Sequence, residues 1–302
     1  MRNAPSNSHA VDVPAEAGRS LRQDALSRLK ENRMALVGAA LIVLILLACF
    51  AVPTLLHLDP VTTDPQNQKL PPSARYWFGT DNLGRDYFAR VLVGGQTSLL
   101  VGFAATAASV FVGVFYGAVA GYYGGKVDDV MMRLVDFLYG IPYMFLVIII
   151  MLMFSETARG EALPVFLALG LVQWLDMARV IRGQVLTLRR REFVLAARLL
   201  GASGPRIILT HILPNALGVI LVYATLTVPA VIILESFLSF LGLGVTLSWG
   251  ELVAEAVGVV NPIRSYWWLL LWPSLFLGLT LFSLNFLGDG LRDATDPRSR
   301  KL

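Results

Sequence analysis

Three histidines, one cysteine and a few acids inside apolar runs are the groups of this 302-residue chain that could do chemistry. A nucleophile with its base, or a metal site, needs such groups to converge. His9, His57 and His211 fall in a terminal tail, the polar segment after the first apolar run and a later polar segment, so the three cannot converge without a large rearrangement. Cys49 stands alone within an apolar run and reads as a small buried hydrophobe. No catalytic residue and no metal ligand set is expected. A phosphate-cradling loop is missing as well: Gly125-Lys126 is followed by Val127, and Ala120 stands where the first glycine of G-x4-G-K-[ST] belongs. The chain does not bind ATP by that route.

Two features remain. An acid within a membrane span is a functional candidate by default, and Glu235, in VIILESFLSFLGLG, is one: it either faces a translocation path or hydrogen-bonds where its span is ending. Asp176 and Arg179, three apart, suit an i,i+3 pair. The second feature is the polar-studded segment Glu192 to Asn215, EFVLAARLLGASGPRIILTHILPN. Phe193, Ala196, Ala197 and Leu200 recur at helical spacing, with Glu192 and Arg198 elsewhere on the wheel, so an amphipathic helix too short to span is expected. Gly201 supplies a left-handed stop, Ser203-Gly204-Pro205 restarts a helix, and Pro214 bends or ends it.

The elements that must hold this segment are membrane helices. With 56% hydrophobic and 15% charged residues, the chain lies outside the range of soluble domains. Residues 1–33 read as a polar tail leading into a basic interfacial helix from Ser20 to Arg33. Met34 to Val52, in segment 34–56, is long enough to cross ~30 Å of hydrocarbon. A polar segment, 57–96, follows. The core, 97–288, carries five further spans: Leu99–Tyr122, Ile141–Phe154 kinked at Pro142, Leu163–Val180, Asn215–Phe240 and Tyr266–Leu287. Gly124–Gly140 reads as a charged connection, 189–214 as a loop between spans, and 289–302 as a tail. Trp249, Trp267, Trp268 and Trp272 suit an interfacial aromatic belt. Six spans put both termini on one side. Eighteen Lys and Arg fall in 1–34, 122–140, 182–213 and 289–302, against six in 57–96, 155–162 and 241–264, so both termini and the 189–214 loop are expected to be cytoplasmic.

The polar segment resembles the cytoplasmic loop motif of ABC-importer permease subunits: E-A-A, three residues, G, nine residues, I-x-L-P. Ala196, Ala197, Gly201, Leu213 and Pro214 match at the motif's spacing, while Leu195 replaces the glutamate and His211 the isoleucine. GRSLRQDA, FGTDNLGRD, GYYGGKVDDVMMRLVD, WLDMARVIRGQ, ESFLSFLGLG and NFLGDGLRDATDP, in family order, resemble the C-type permease subunit of oligopeptide and dipeptide importers.

The resemblance implies an all-α membrane protein with six transmembrane helices, a type I importer permease fold with a cytoplasmic coupling helix, in the inner membrane of a bacterium. It implies a homologous second permease, two cytoplasmic ATPases that bind ATP and Mg, and an extracytoplasmic peptide-binding protein. The lipid bilayer is its surroundings, and nucleic acid has no place. Glu192, Ala196, Ala197, Arg198, Gly201, Ala202, Leu213 and Pro214 would meet the ATPase, with Glu192 standing in for the missing acid, and the cargo would be oligopeptides. Dipeptides, nickel or opines are the alternatives within the family. A stand-alone secondary carrier is the alternative of another class, and it would want an acid relay or an inverted repeat that the sequence does not offer.

Overall fold

The computed structural model describes residues 27–154, 161–259 and 265–295. His9, residues 1–26 with most of the expected interfacial helix, and residues 296–302 of the tail lie outside them. The described chain is helical: α1 (Arg33–Leu55), α2 (Tyr87–Tyr123), α3 (Gly125–Tyr139), α4 (Tyr143–Phe154), α5 (Ala162–Leu188), α6 (Glu192–Leu199), α7 (Gly204–Ile207), α8 (Leu213–Phe240), α9 (Trp249–Val257) and α10 (Trp267–Thr295). α1, α2, α5, the run from α7 through α8, and α10 are each long and apolar enough to cross a bilayer. α3 and α4, bent by 81° at the break between them, are together long and apolar enough for a sixth crossing if the pair is one broken span.

Local chemistry sets the ends. Asn32 caps α1, its side chain accepting from the Met34 and Ala35 amides at 3.1 and 3.2 Å. Asp86 caps α2 through the Phe88 amide at 3.0 Å, and Gly124 ends it at φ +66°. α2 therefore starts twelve residues before the expected span. Its first turns are not loop, because Tyr87, Val91 and Leu92 are buried against protein rather than lipid, which an apolar-run reading cannot see. The expected connection Gly124–Gly140 is likewise the amphipathic helix α3, and the kink at Pro142 lies between two helices.

α2 is the spine. Gly113, Gly117 and Gly121 form a four-residue repeat against α5: a Cβ at Gly113 would meet the Met177 Cβ at 2.6 Å, one at Gly121 the Arg182 carbonyl at 2.9 Å, and one at Gly117 the Ala178 carbonyl. α1 lies on α10 with the same economy: a Cβ at Gly38 would meet the Ser283 carbonyl at 2.7 Å.

At the Tyr87 end of α2, the polar segment folds onto α9 and α10. Trp249 is fully buried and donates to the Val91 carbonyl at 2.9 Å. Trp268 donates to that of Thr80 at 3.3 Å, and Trp272 stacks on Phe78 with centroids 3.9 Å apart. These three tryptophan rings pack on protein, while Trp267, edge-on to Trp268, is the exposed one of the four.

Candidate functional site

At the Tyr123 end of α2, the segment 189–214 turns sharply twice. Arg191 precedes α6, and α6 stops in a Schellman motif: the Gly201 amide donates to the Arg198 carbonyl at 3.0 Å and the Ala202 amide to that of Ala197 at 3.1 Å. Gly201 sits at φ +82° with nothing within 4 Å of where a Cβ would be, so backbone conformation alone calls for glycine there. The chain restarts at α7, with Ser203 in the cap position and Pro205 in the first turn, although the Ser203 side chain makes no capping bond. Over Ile208–Ile212 the ladder slips into a π turn, immediately before Pro214, whose missing N–H would otherwise interrupt it. The carbonyl of His211 is taken by the Asn215 side chain at 2.6 Å.

The helix is anchored on one side only. Val194 and Ala197 of α6 join Ile207, Ile208 and Ile212 in a cluster with Val114 and Ala118 of α2 and Met177, Ile181 and Val185 of α5. Arg198 lies over the Tyr122 ring, and Gly204 lets the chain pass the Tyr122 and Tyr123 rings at about 3 Å from a virtual Cβ. The outward side carries Glu192, Phe193, Leu195, Ala196, Leu199 and Leu200. Leu199 and Leu200 are each 88% exposed. The expected apolar stripe is thus turned: of its four residues only Ala197 is buried, since Val194 takes the inward position. Leu195, where the motif has its acid, adds to the bare apolar side. Gly201 and Pro214 are exposed, and Ala202 and Leu213 half-buried.

Glu235 lies at the other end of the bundle, 0% exposed. Its carboxylate accepts from Ser239 at 2.7 Å, Ser98 at 3.1 Å and Ser236 at 3.4 Å. Ser98 in turn accepts from the Trp249 amide at 3.1 Å and Ser239 from the Val245 amide at 3.2 Å. Two backbone amides thereby orient two hydroxyls onto one buried carboxylate, tying α2, α8 and the start of α9 together. Among the described residues no cationic side chain is within ion-pair distance of it.

Residues that local patterning missed sit at both ends. Arg90 is buried and bonds Asp81 at 2.7 Å and Glu255 at 2.5 Å, locking the polar segment to α9. Arg189 caps the end of α2 through the Gly121 carbonyl at 2.9 Å. A charged residue at the polar start of an apolar helix was the available signal, but its partner is 165 residues away for Arg90 and Glu255. The Asp176–Arg179 pairing is corrected. Both residues reach across to α3: Asp176 accepts from the Tyr139 hydroxyl, while Arg179 pairs with Asp136 at 2.7 Å and lies 3.8 Å over the Tyr139 ring. α3 is a helix packed beside α5, so it offers nearer partners than the next turn does.

Known proteins share this plan. Residues 113–301 match the family described as binding-protein-dependent transport system inner membrane component, and residues 20–72 match the N-terminal TM domain of oligopeptide transport permease C. The chain is 48% identical over 290 residues to the oligopeptide transport system permease protein OppC of Escherichia coli K12, covering 94% of this chain and 93% of that protein. It is 41% identical over 302 residues to the OppC of Bacillus subtilis 168, covering 99% and 96%. With the dipeptide transport system permease protein DppC of the same organism it shares 44% over 286 residues, covering 93% and 87%. A structure of the MetNI methionine ABC transporter in an inward-facing conformation has the same fold, with a TM-score of 0.56 at 16% identity over 68% of this chain and 97% of that one.

Proposed function

This chain belongs to the family of binding-protein-dependent transport system inner membrane components, and we propose that it forms half of the translocation pathway of an ATP-driven peptide importer in a bacterial inner membrane. Relatives named for oligopeptides and for dipeptides both align along nearly the whole chain. The match of residues 20–72 to oligopeptide permease C favours oligopeptides. The other half is a homologous permease. Cargo arrives on an extracytoplasmic binding protein at the Trp249 end, and two cytoplasmic ATPases, which bind ATP and Mg, sit at the Glu192 end. Both termini are cytoplasmic.

One observation carries the coupling role: α6 is fixed to α2 and α5 on its inner side and leaves Leu199 and Leu200 bare on the outer. Bare leucines on a helix that cannot span need a protein partner. Glu192, Ala196 and Arg198 flank that surface, Gly201 and Ala202 hold its end, and Leu213-Pro214 starts α8, so a push on α6 reaches three spans. Moving a two-state gate from 1:99 to 99:1 takes about 5.5 kcal/mol of differential binding. A docked helix can transmit that and a loose tether cannot. For Glu235, the serine cage supports a structural part in the closed outer end. We keep its exposure to the path for a state in which α8 and α9 separate.

The test is reconstitution with the second permease, the ATPases and the binding protein in vesicles. Peptide uptake that requires ATP and every subunit supports the reading. Uptake by this chain alone, driven by an ion gradient, would contradict it and favour a secondary carrier.

A further inference from the structure

The α3–α4 pair borders an open cavity of about 510 Å³, lined by the α3–α4 break at Ile141-Pro142, the middle of α5 and the Ile233 face of α8. Its wall is mostly apolar. The polar exceptions are Tyr139, Tyr143, Gln173 and Asp176, and Asp176 is the one acid or base among the lining residues. Asp176 lies on α5, which runs to Leu188, four residues before the inner end of the expected span Leu163–Val180, or about 6 Å at ~1.5 Å per residue. A charge within an apolar span is costly against lipid. Its side chain is exposed, so this face is turned to water or to protein.

Neighbouring charges do not neutralise it. Arg179 is committed to Asp136 at 2.7 Å and to the Tyr139 ring, which leaves the group of Asp136, Asp176 and Arg179 with one negative charge in excess. The Tyr139 hydroxyl donates to the Asp176 carboxylate and fixes its orientation. Irregular backbone within a span survives only where it lines a cavity or is covered by protein, and interrupted helices beside a cavity hold substrate in many transporters.

We propose that this cavity is a waypoint for the cargo, in which the Asp176 carboxylate, held by Tyr139, receives the terminal ammonium of the passing peptide, with the Gln173 amide and Tyr143 hydroxyl beside the peptide backbone. The assignment rests on the importer reading above. It adds that the membrane path has its own preference for a positive end, separate from that of any binding protein.

Two measurements on the reconstituted complex test it. The variant Gln173→Cys is reacted with cationic (trimethylammonium-ethyl) and anionic (sulfonatoethyl) methanethiosulfonates; the native Cys49 is fully buried and stays in place. The cation is expected to react about tenfold faster, equivalent to ~1.4 kcal/mol, and adding Asp176→Asn is expected to abolish that preference. In parallel, uptake of tri-alanine is expected to fall about tenfold in Asp176→Asn and to recover in Asp176→Glu. An unreactive thiol at position 173, an absent preference, or a preference that survives Asp176→Asn would overturn the inference, as would unchanged tri-alanine uptake. A loss confined to acetyl-Ala-Lys-Ala would overturn the assignment to the peptide terminus. Failure of the wild-type complex to import any peptide would instead sink the importer reading, while the charge preference of the introduced thiol would still stand or fall by itself.

Discussion

Arg189 donates through Nη1 to the Gly121 carbonyl at 2.9 Å and to the Tyr122 carbonyl at 3.3 Å, so the residue that follows α5 closes the end of α2. Gly124, at φ +66°, leaves room for the guanidinium, which lies 2.5 Å from where a Cβ would be. The contact places a cation at a helix C-terminus, where orphan carbonyls and the helix dipole both favour it. Removing it in Arg189→Ala is expected to weaken the docking of 189–214 on α2 by about 1.5–3 kcal/mol. Insertion into the membrane should be intact. ATP hydrolysis stimulated by the loaded binding protein should drop, and Arg189→Lys should restore part of it.

Gly201 offers a graded test. Its φ of +82° with empty space around the virtual Cβ makes substitution a matter of backbone strain and not of crowding. Left-handed geometry costs an L-residue roughly 1–2 kcal/mol, less for Asn, and proline cannot adopt it and also loses the bond from the Gly201 amide to Arg198. Coupled uptake should fall in the order Gly, Asn, Ala, Pro, with membrane insertion constant across the series. An order that instead followed side-chain size would contradict the strain account.

Leu199 and Leu200 have almost no intramolecular contact to lose. Leu199→Ser with Leu200→Ser should therefore leave the melting temperature in detergent unchanged while releasing the ATPases from the complex. Covering a leucine is worth about 1.5–3 kcal/mol, so losing two should weaken association by at least two orders of magnitude in a pull-down titration.

Glu235 should behave as a structural acceptor. Glu235→Ala strands the hydroxyls of Ser98 and Ser239 in a buried space and is expected to destabilise by several kcal/mol, since each unsatisfied buried group costs about 1–3 kcal/mol. Glu235→Gln keeps one acceptor oxygen and should lower the melting temperature less. A variant that melts like the wild type and yet alters uptake would point to a path-lining role.

Much of this was legible because hydropathy and helix stops are local properties. Five of the crossings, the short helix at Glu192 and the left-handed glycine at 201 each follow from neighbouring residues. What could not be read depends on partners far along the chain. The partner of the Trp268 N–H is the Thr80 carbonyl, 188 residues away. Arg90 looks like loop charge until Glu255 folds over it. Asp176 and Arg179 look paired because spacing says nothing of a helix arriving alongside. α3 itself was hidden because its face of Lys126, Asp129, Arg133 and Asp136 resembles a solvated connection.

The central claim is that α6 is the joint between the ATPases and the spans, and a single cross-linking measurement addresses it most directly. Leu199→Cys, with a matching control at the outward Leu44→Cys on α1, is treated with a short bismaleimide in the assembled complex. Cross-linking from position 199 to an ATPase subunit, absent from position 44 and accompanied by loss of both peptide uptake and stimulated ATP hydrolysis, is the predicted result. A cross-link that forms while uptake continues unchanged, or no cross-link from position 199 at all, would contradict it.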